Sequence, residues 1–444
     1  MSGEPNTLLA AAHAGAAQAR RHGADAAKVV VSRSRGVDLE WRDGRLERVQ
    51  ERTQRSLSAE LFVNGRYSAS STNDLRPEAL EAFFADAVAM TRFLEPDPHR
   101  CLPDPSLYAG RASVDLDALD PTYDAVSSAE RRTRVAELEA LIRERNPELP
   151  IISVSTEISE TRSQSARVHT NGFEGAREGT SFVLGGQVTV KDADGRRPMG
   201  WDYSVRRHRA DLGSAESIAR TAGARAAAQL GSGKLPTGRY TVVLENRAVP
   251  RLLGAFLGPL HGPALQQKQS LWEGKLGEAI ASPLLTIFDE PHRVRGLGSA
   301  LWDGDGFATH RRPLIEGGVL STYLIDHYYG LKMGVAPTGG DTHNLAWSLG
   351  NRDYEGLIAD VGEGLLIDRF LGGNSNGTSG EFSFGCGGRV IRDGRLAEPV
   401  AEINLSGNLA EIWNQLKAVG NDPDPESGSS CPTCVFEGVQ LSGH

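Results

Sequence analysis
The chain has 444 residues, a net charge of −9 and 39% hydrophobic content. That length accommodates two to three domains with real cores, and the acidic balance gives no general pull toward nucleic acid. Four cysteines are too few for a disulfide framework, no apolar run reaches the ~18 residues of a membrane helix, and the polar, Ala-rich N-terminus has no signal-peptide pattern, so a cytoplasmic protein is expected.

Residues 7–22 read as an Ala-rich helix stopping at Gly23, followed by a strand from Lys28 to Arg33. Asp43-Gly44 and Asn64-Gly65 predict two hairpins, because two-residue turns of this kind need positive φ. Asp74 opens a helix with Pro77 in its first turn and with Leu80, Phe83, Phe84, Ala87 and Val88 on one face. A Pro-rich connection covers 96–121. Ser127 and Glu130 then form a capping box for a helix reaching Asn146. Strands are expected over 150–162, 165–171 and 180–195, with turns at Asn171-Gly172 and Asp194-Gly195, then an Ala-rich helix from Leu212 to Leu230. Arginine pairs such as Arg20-Arg21, Arg131-Arg132, Arg206-Arg207 and Arg311-Arg312 are mixed with acids and read as solvated surface.

The Gly-containing stretch 231–238 marks a boundary between an N-terminal α+β domain (1–232, with a sub-boundary near 96–121) and a C-terminal domain (239–444). The second half opens with a strand, Tyr240–Leu244, and a helix that Asn246 is expected to cap and that has Pro250 in its first turn. Val249, Leu252, Leu253, Phe256, Leu257 and Leu260 fall on one face of a 3.6-residue period. Beyond it the chain is Gly-rich. Strands are expected in 283–291, on both sides of Gly317-Gly318, within 356–370, around a hairpin at Asp393-Gly394 and over 435–444, with a helix from Ser406 to Val419. The fold class is α+β: an N-terminal antiparallel sheet with helices on one side, and a mostly antiparallel β domain around a central amphipathic helix.

No familiar catalytic constellation is visible. A catalytic zinc needs about three converging N, O or S ligands, and no two histidines stand four or five residues apart. His310, His327 and His343 converge only if the fold brings them together, and His261 follows the central helix. Cys386, in a Gly-rich turn, is a nucleophile only beside a base. Cys431 and Cys434 form a C-x-x-C pair without a second pair and read as surface thiols. Asp303-Gly-Asp305 lacks the rest of a calcium loop and reads as a tight acidic turn. The glycines of 372–388 do not have phosphate-loop spacing and suit close backbone approach, between strands or to an extended peptide.

The phrases KLGEAIASPLLTIFDEP (275–291), WDGDGFATHRRPLIEGGVLSTYLIDHYYGLKMG (302–334), GGNSNGTSGEFSFGCGG (372–388) and EPVAEINLSGNLAEIWNQLKAVGND (398–422) resemble the TldD/PmbA family. RDGRLERVQERTQRSLSAELFVNGRYSASSTND, LEPDP and the closing EGVQLSG match too, so the resemblance spans nearly the whole chain. It implies a heterodimeric zinc peptidase acting on small unstructured peptides, with roles in peptide-antibiotic maturation and in toxin–antitoxin turnover. TldD-like members carry His-Glu-x-x-x-His on the helix after the first C-terminal strand. The equivalent window here is Leu253 to Gly258, where Leu253, Gly254 and Gly258 offer no ligand and no base.

The chain therefore resembles the TldE/PmbA branch. That implies no catalytic or metal residue and no cofactor in this chain, zinc in a TldD-like partner subunit, and a homodimer as the alternative assembly for the lone chain. Two other readings stay open: a stand-alone hydrolase using Cys386 or a histidine cluster, and a peptide-binding protein that works by strand addition without proteolysis. A role on DNA gyrase, for which the family was once named, is opposed by the acidic balance and the lack of a basic stripe.

Overall fold
In the computed structural model residues 4–443 are described; residues 1–3 and His444, at the end of the expected last strand, lie outside them. Helix α1 (Glu4–Arg21) lays Ala12, Ala16 and Ala19 on the sheet, small residues that allow close approach. Strands β1 (Ala26–Arg42), β2 (Arg45–Val63) and β3 (Arg66–Thr72) follow as hairpins, with Asp43, Gly44, Asn64 and Gly65 all at positive φ. Helices α2 (Pro77–Thr91) and α3 (Ser128–Arg145) lead to β4 (Ile151–His169), β5 (Glu174–Val190), β6 (Met199–Arg206) and α4 (Ala215–Ala227). The Ser127–Glu130 capping box is complete on α3.

These strands form one antiparallel sheet in the order β3-β2-β1-β4-β5-β6. Ala27, Val29, Val31 and Leu39 of β1 are all odd positions, and their pairing with β4 runs without a shift. They therefore point to one face. α1 and α2 cover the 27–31 end of that face, and α3 and α4 cover the end at Leu39. The opposite face carries Ser32 and Ser34 and is free for other contacts.

The second half comprises β7 (Gly238–Leu244), α5 (Val249–Leu257), α6 (Gly262–Gln266), β8 (Ile287–Asp289), β9 (Arg312–Glu316), β10 (Val319–Leu320), α7 (His327–Met333), β11 (Leu345–Trp347), α8 (Tyr354–Val361), β12 (Gly364–Ser375), β13 (Glu381–Arg392), β14 (Arg395–Asn408), α9 (Leu409–Ile412), β15 (Leu416–Val419) and β16 (Cys434–Ser442). Its main sheet runs β14-β13-β12-β7-β16-β15, and an added β14–β16 pairing closes five strands into a barrel. Only β12 and β7 run parallel. All six periodic residues of the α5 region are buried in the barrel-side core. Gly373 and Gly388 answer the close-approach expectation: a Cβ there would meet the Ser383 and Leu366 carbonyl oxygens at 2.1 and 1.8 Å.

Several expectations are corrected. The strands read over 150–162 and 165–171 are one strand, β4, and β6 and the short helices α7 and α8 were not read. Of the helix expected over Ser406–Val419, only Leu409–Gln415 is helical, as α9 and one following 3-10 turn. β14 continues to Asn408 because its backbone pairs with β13, and Leu416–Val419 pairs with β16. Leu409, Ile412, Trp413 and Leu416 are nonetheless all buried, so the apolar spacing reported core rather than helix length. Asn246 does not cap α5. Its amide donates to the Asp422 carbonyl, and the helix starts after Ala248 without a side-chain cap. Asp74 likewise accepts from the Arg76 N–H ahead of α2.

Glu245, between β7 and α5, ties the two halves together by accepting from Arg225 of α4. Its other oxygen has no hydrogen-bond partner. Burial pushes its carboxyl up to about 7, against the opposing pull of Arg225 and Arg247, while Asp368 adds repulsion; Tyr354 also faces it. The sign follows: the unfolded chain releases this proton near its ordinary 4.5 and the folded chain near 7. The stabilising contribution is full below 4.5 and is lost as pH rises through 7. Glu245→Gln should remove up to ~3 kcal/mol of that pH dependence, read as urea midpoints that stay flat where the parent's fall. Equal slopes in both proteins would refute the assignment.

Candidate functional site
A cleft of about 1040 Å³ opens between the polar face of the first sheet and loops of the C-terminal half. β1 contributes Ser32 and Ser34; β4 contributes Ser163, Ser165 and Arg167; β5 contributes Arg177. Ser165 stands opposite Arg177, and Arg167 opposite Gly175, so the sheet register places both arginines on one face. Arg207, just after β6, joins them, and Arg33 of β1 also lines the cleft. His261, residues 297–304 and 341–343 form the facing wall.

Contacts to backbone carbonyls fix these cations. Arg167 donates to the Asp303 and Gly304 carbonyls at 2.8 and 2.7 Å, and Arg207 to those of Thr180, Gly296 and Leu297. Arg177 donates to the Ser165 hydroxyl at 3.3 Å. Burial, and then the charge of Arg177, lower the pKa of both Arg167 and Arg207. The reading of Arg206-Arg207 and Arg131-Arg132 as solvated surface is thus corrected. Arg207 is partly buried in this cleft, and Arg131 is buried against Glu160.

The histidines divide between different places. His261 lines the cleft and meets the Gly340 carbonyl through Nδ1 at 3.1 Å. His343 lines both this cleft and a neighbouring one of about 380 Å³ that it shares with His310; its Nδ1 lies 3.0 Å from Asp289. His327 stands apart, its Nε2 3.6 Å from Cys101 Sγ and its pKa lowered by burial. His310 and His343 are therefore brought together and His327 is not. Among the described residues no three His, Cys, Asp or Glu side chains gather as a metal-holding group.

The α5 window does not fit zinc. Leu253 is 2% exposed in the core, while Gly254 and Gly258 carry no side chain and face outward. Cys386 is fully buried on β13, and burial pushes its thiol up to about 12, so it presents no thiolate to a substrate. Cys431 and Cys434 are also fully buried and their pKa values raised, which corrects the expectation of surface thiols. Asp303 Oδ1 accepts from the N–H groups of Asp305 and Phe307, the closed geometry of an acidic turn.

Sequence reasoning missed the three arginines as a group. Arg167 and Arg177 lie on separate strands, and only the β4–β5 register unites them. The available signal was the alternation Ser163, Ser165, Arg167, which marks a polar strand face.

Profiles of the PmbA/TldA metallopeptidase family match the chain in three blocks: domain 1 over 27–91, the central domain over 121–230 and the C-terminal domain over 237–443. Metalloprotease PmbA of Escherichia coli O157:H7 is 27% identical over 430 residues, covering 94% of this chain and 92% of that protein. A PmbA homolog of Haemophilus influenzae is 26% identical, with 94% and 92% covered. Among solved structures, a protein from Bacteroides thetaiotaomicron described as a candidate modulator of DNA gyrase superposes with a TM-score of 0.94 at 36% identity, covering 100% of both chains. TldE from Thermococcus kodakarensis, at 19% identity and a TM-score of 0.87 over 98% of this chain and 100% of that one, shares the fold. Three consecutive family domains on one continuous fold establish that the chain belongs to the TldD/PmbA family.

Proposed function
We propose that this chain is the subunit without catalytic zinc in a TldD/TldE-type peptidase that acts on small unstructured peptides. The observation that carries the reading is the α5 window: Leu253 belongs to the core, and Gly254 and Gly258 have no donor atoms. The buried, protonated Cys386 supports it by leaving no nucleophile there for a stand-alone hydrolase. The metalloprotease name of the E. coli relative and the TldE name of a fold neighbour agree with membership of such an assembly. In this reading zinc and the general base come from a TldD-like partner carrying His-Glu-x-x-x-His, and the pair works in the cytoplasm. No described helix is long and apolar enough to cross a membrane. This chain supplies cavity wall and peptide contacts.

The test is metal content and peptidase activity of the chain purified alone, and again after co-expression with a TldD-like protein of the same genome. Co-purification, with zinc and chelator-sensitive cleavage appearing only in the mixture, is the expected result. Zinc-dependent cleavage by the lone chain would overturn the reading. A stable homodimer that ignores the second protein would also overturn it, and would favour a peptide-binding protein without protease activity.

A further inference from the structure
We propose that the cleft between the two halves binds the carboxylates of an extended peptide on Arg167, Arg177 and Arg207. The ligand class rests on the peptidase-subunit reading; the site rests on the geometry. Elsewhere in this chain several buried or partly buried arginines meet carboxylates: Arg131 and Arg209 share Glu160, and Arg247 meets Asp202. Arg167, Arg177 and Arg207 do not. Among the described residues none lies within 4.0 Å of a carboxylate oxygen.

Their partners are carbonyl and hydroxyl oxygens, which fix a guanidinium but leave its full charge. Two of the three are partly buried, and Arg177 is close enough to repel both. Like charges held together in a concave, partly dry site are relieved by an anion. A planar guanidinium suits the paired oxygens of a carboxylate.

The acidic groups around the cleft mostly have other partners. Asp117 pairs with Arg295, Glu178 lies 3.6 Å from Arg162, and Asp303 accepts two backbone N–H groups. Asp115 turns one oxygen to the Asp117 N–H, and Asp341 lines the facing wall. This acidic rim, in a chain of net charge −9, opposes a polyanion such as nucleic acid while tolerating one or two carboxylates. A volume of about 1040 Å³ admits several extended residues.

The test uses the full chain and four octapeptides labelled with an uncharged BODIPY dye, read by fluorescence anisotropy. One contains two glutamates and a free C-terminus; the second is its amidated form; the third and fourth replace glutamate by glutamine with free and amidated ends. The doubly neutral peptide should bind at least tenfold more weakly than the charged parent. Loss on amidation assigns the C-terminal carboxylate, and loss on the glutamine replacement assigns acidic side chains. Arg177→Gln should bring the charged peptide to the level of the neutral one. This exposed residue relieves repulsion when removed, so the fold survives, checked by a melting temperature no lower than the parent's. Arg48→Gln, exposed on β2 and outside the cleft lining, should change nothing.

Equal binding of charged and neutral peptides, no effect of Arg177→Gln, or tighter binding of a labelled oligonucleotide than of any peptide would each overturn the proposal. The titration needs neither the partner nor turnover. Failure here with activity in the co-expressed pair therefore removes only this site, whereas peptide binding without zinc activity in the pair removes only the subunit reading.

Discussion
Glu160→Ala should cost about 3–5 kcal/mol of folding stability, measured as the shift of the urea unfolding midpoint. Glu160 lies on β4, on the face that the helices cover, with a side chain 4% exposed. Arg131 of α3 donates to it at 2.6 and 2.8 Å, and Arg209 reaches both oxygens at 3.1 and 3.2 Å. The same arginines also hold the connecting segment, through the carbonyls of Val126, Thr122 and Tyr123, and Arg209 lies over the Phe182 ring. One carboxylate thus orients two cations that join a helix, a loop and the sheet. Removing it leaves two desolvated guanidinium groups without a counter-charge, a larger penalty than the pair's net contribution. Glu160→Gln should fall between the two, because it keeps an acceptor and loses the charge. A loss below about 1 kcal/mol for the alanine variant would mean that water reaches these guanidiniums, as at an exposed pair.

What could be read from sequence divides along physical lines. The turns at Asp43-Gly44, Asn64-Gly65 and Asp393-Gly394 were legible because left-handed backbone restricts the residues that can occupy it. The inward face of α5 was legible because a single period of 3.6 residues carries it. β4 was misread as two strands because Ser163 and Ser165 interrupt its apolar pattern; they face the cleft, not the core. The region 406–419 misled for the converse reason. Leu409, Ile412, Trp413 and Leu416 are inward by helical spacing, but the helix holds only over 409–415, and the flanking residues pair with β13 and β16. The site was least legible. Its arginines are separated by ten and thirty residues and carry the surface signature of charge, and sheet register alone makes them neighbours. The same holds for His310 and His343, which share a cavity only through the packing of the loops that carry them.

Phe256→Ala should cost about 3–5 kcal/mol, whereas Gly254→Ala, two residues earlier on the same helix, should gain about 0.5–1 kcal/mol. The Phe256 ring is fully buried, with centroids 5.0 Å from Trp272 and 5.1 Å from Trp413. Trp272 Nε1 also donates to the Phe256 carbonyl at 2.9 Å, and Trp413 meets Phe436 at 5.5 Å. Truncating Phe256 therefore empties the centre of an aromatic cluster that links α5, the loop after α6, the turn after α9 and β16. The neighbouring rings are themselves packed and cannot collapse into the gap, so the cavity adds to the lost transfer energy. Gly254 faces outward, and a Cβ there meets nothing within 4 Å. Alanine at that position loses less backbone freedom on folding and displaces nothing. Opposite signs two residues apart are the signature of a helix that is core on one side and open on the other. On the proposed subunit reading, α5 contributes packing where the partner's zinc-bearing helix would contribute ligands. Thermal and urea melts of the two variants test that placement together; a costly Gly254→Ala beside a mild Phe256→Ala would reverse the faces and return the window at Leu253 to the inside of a site.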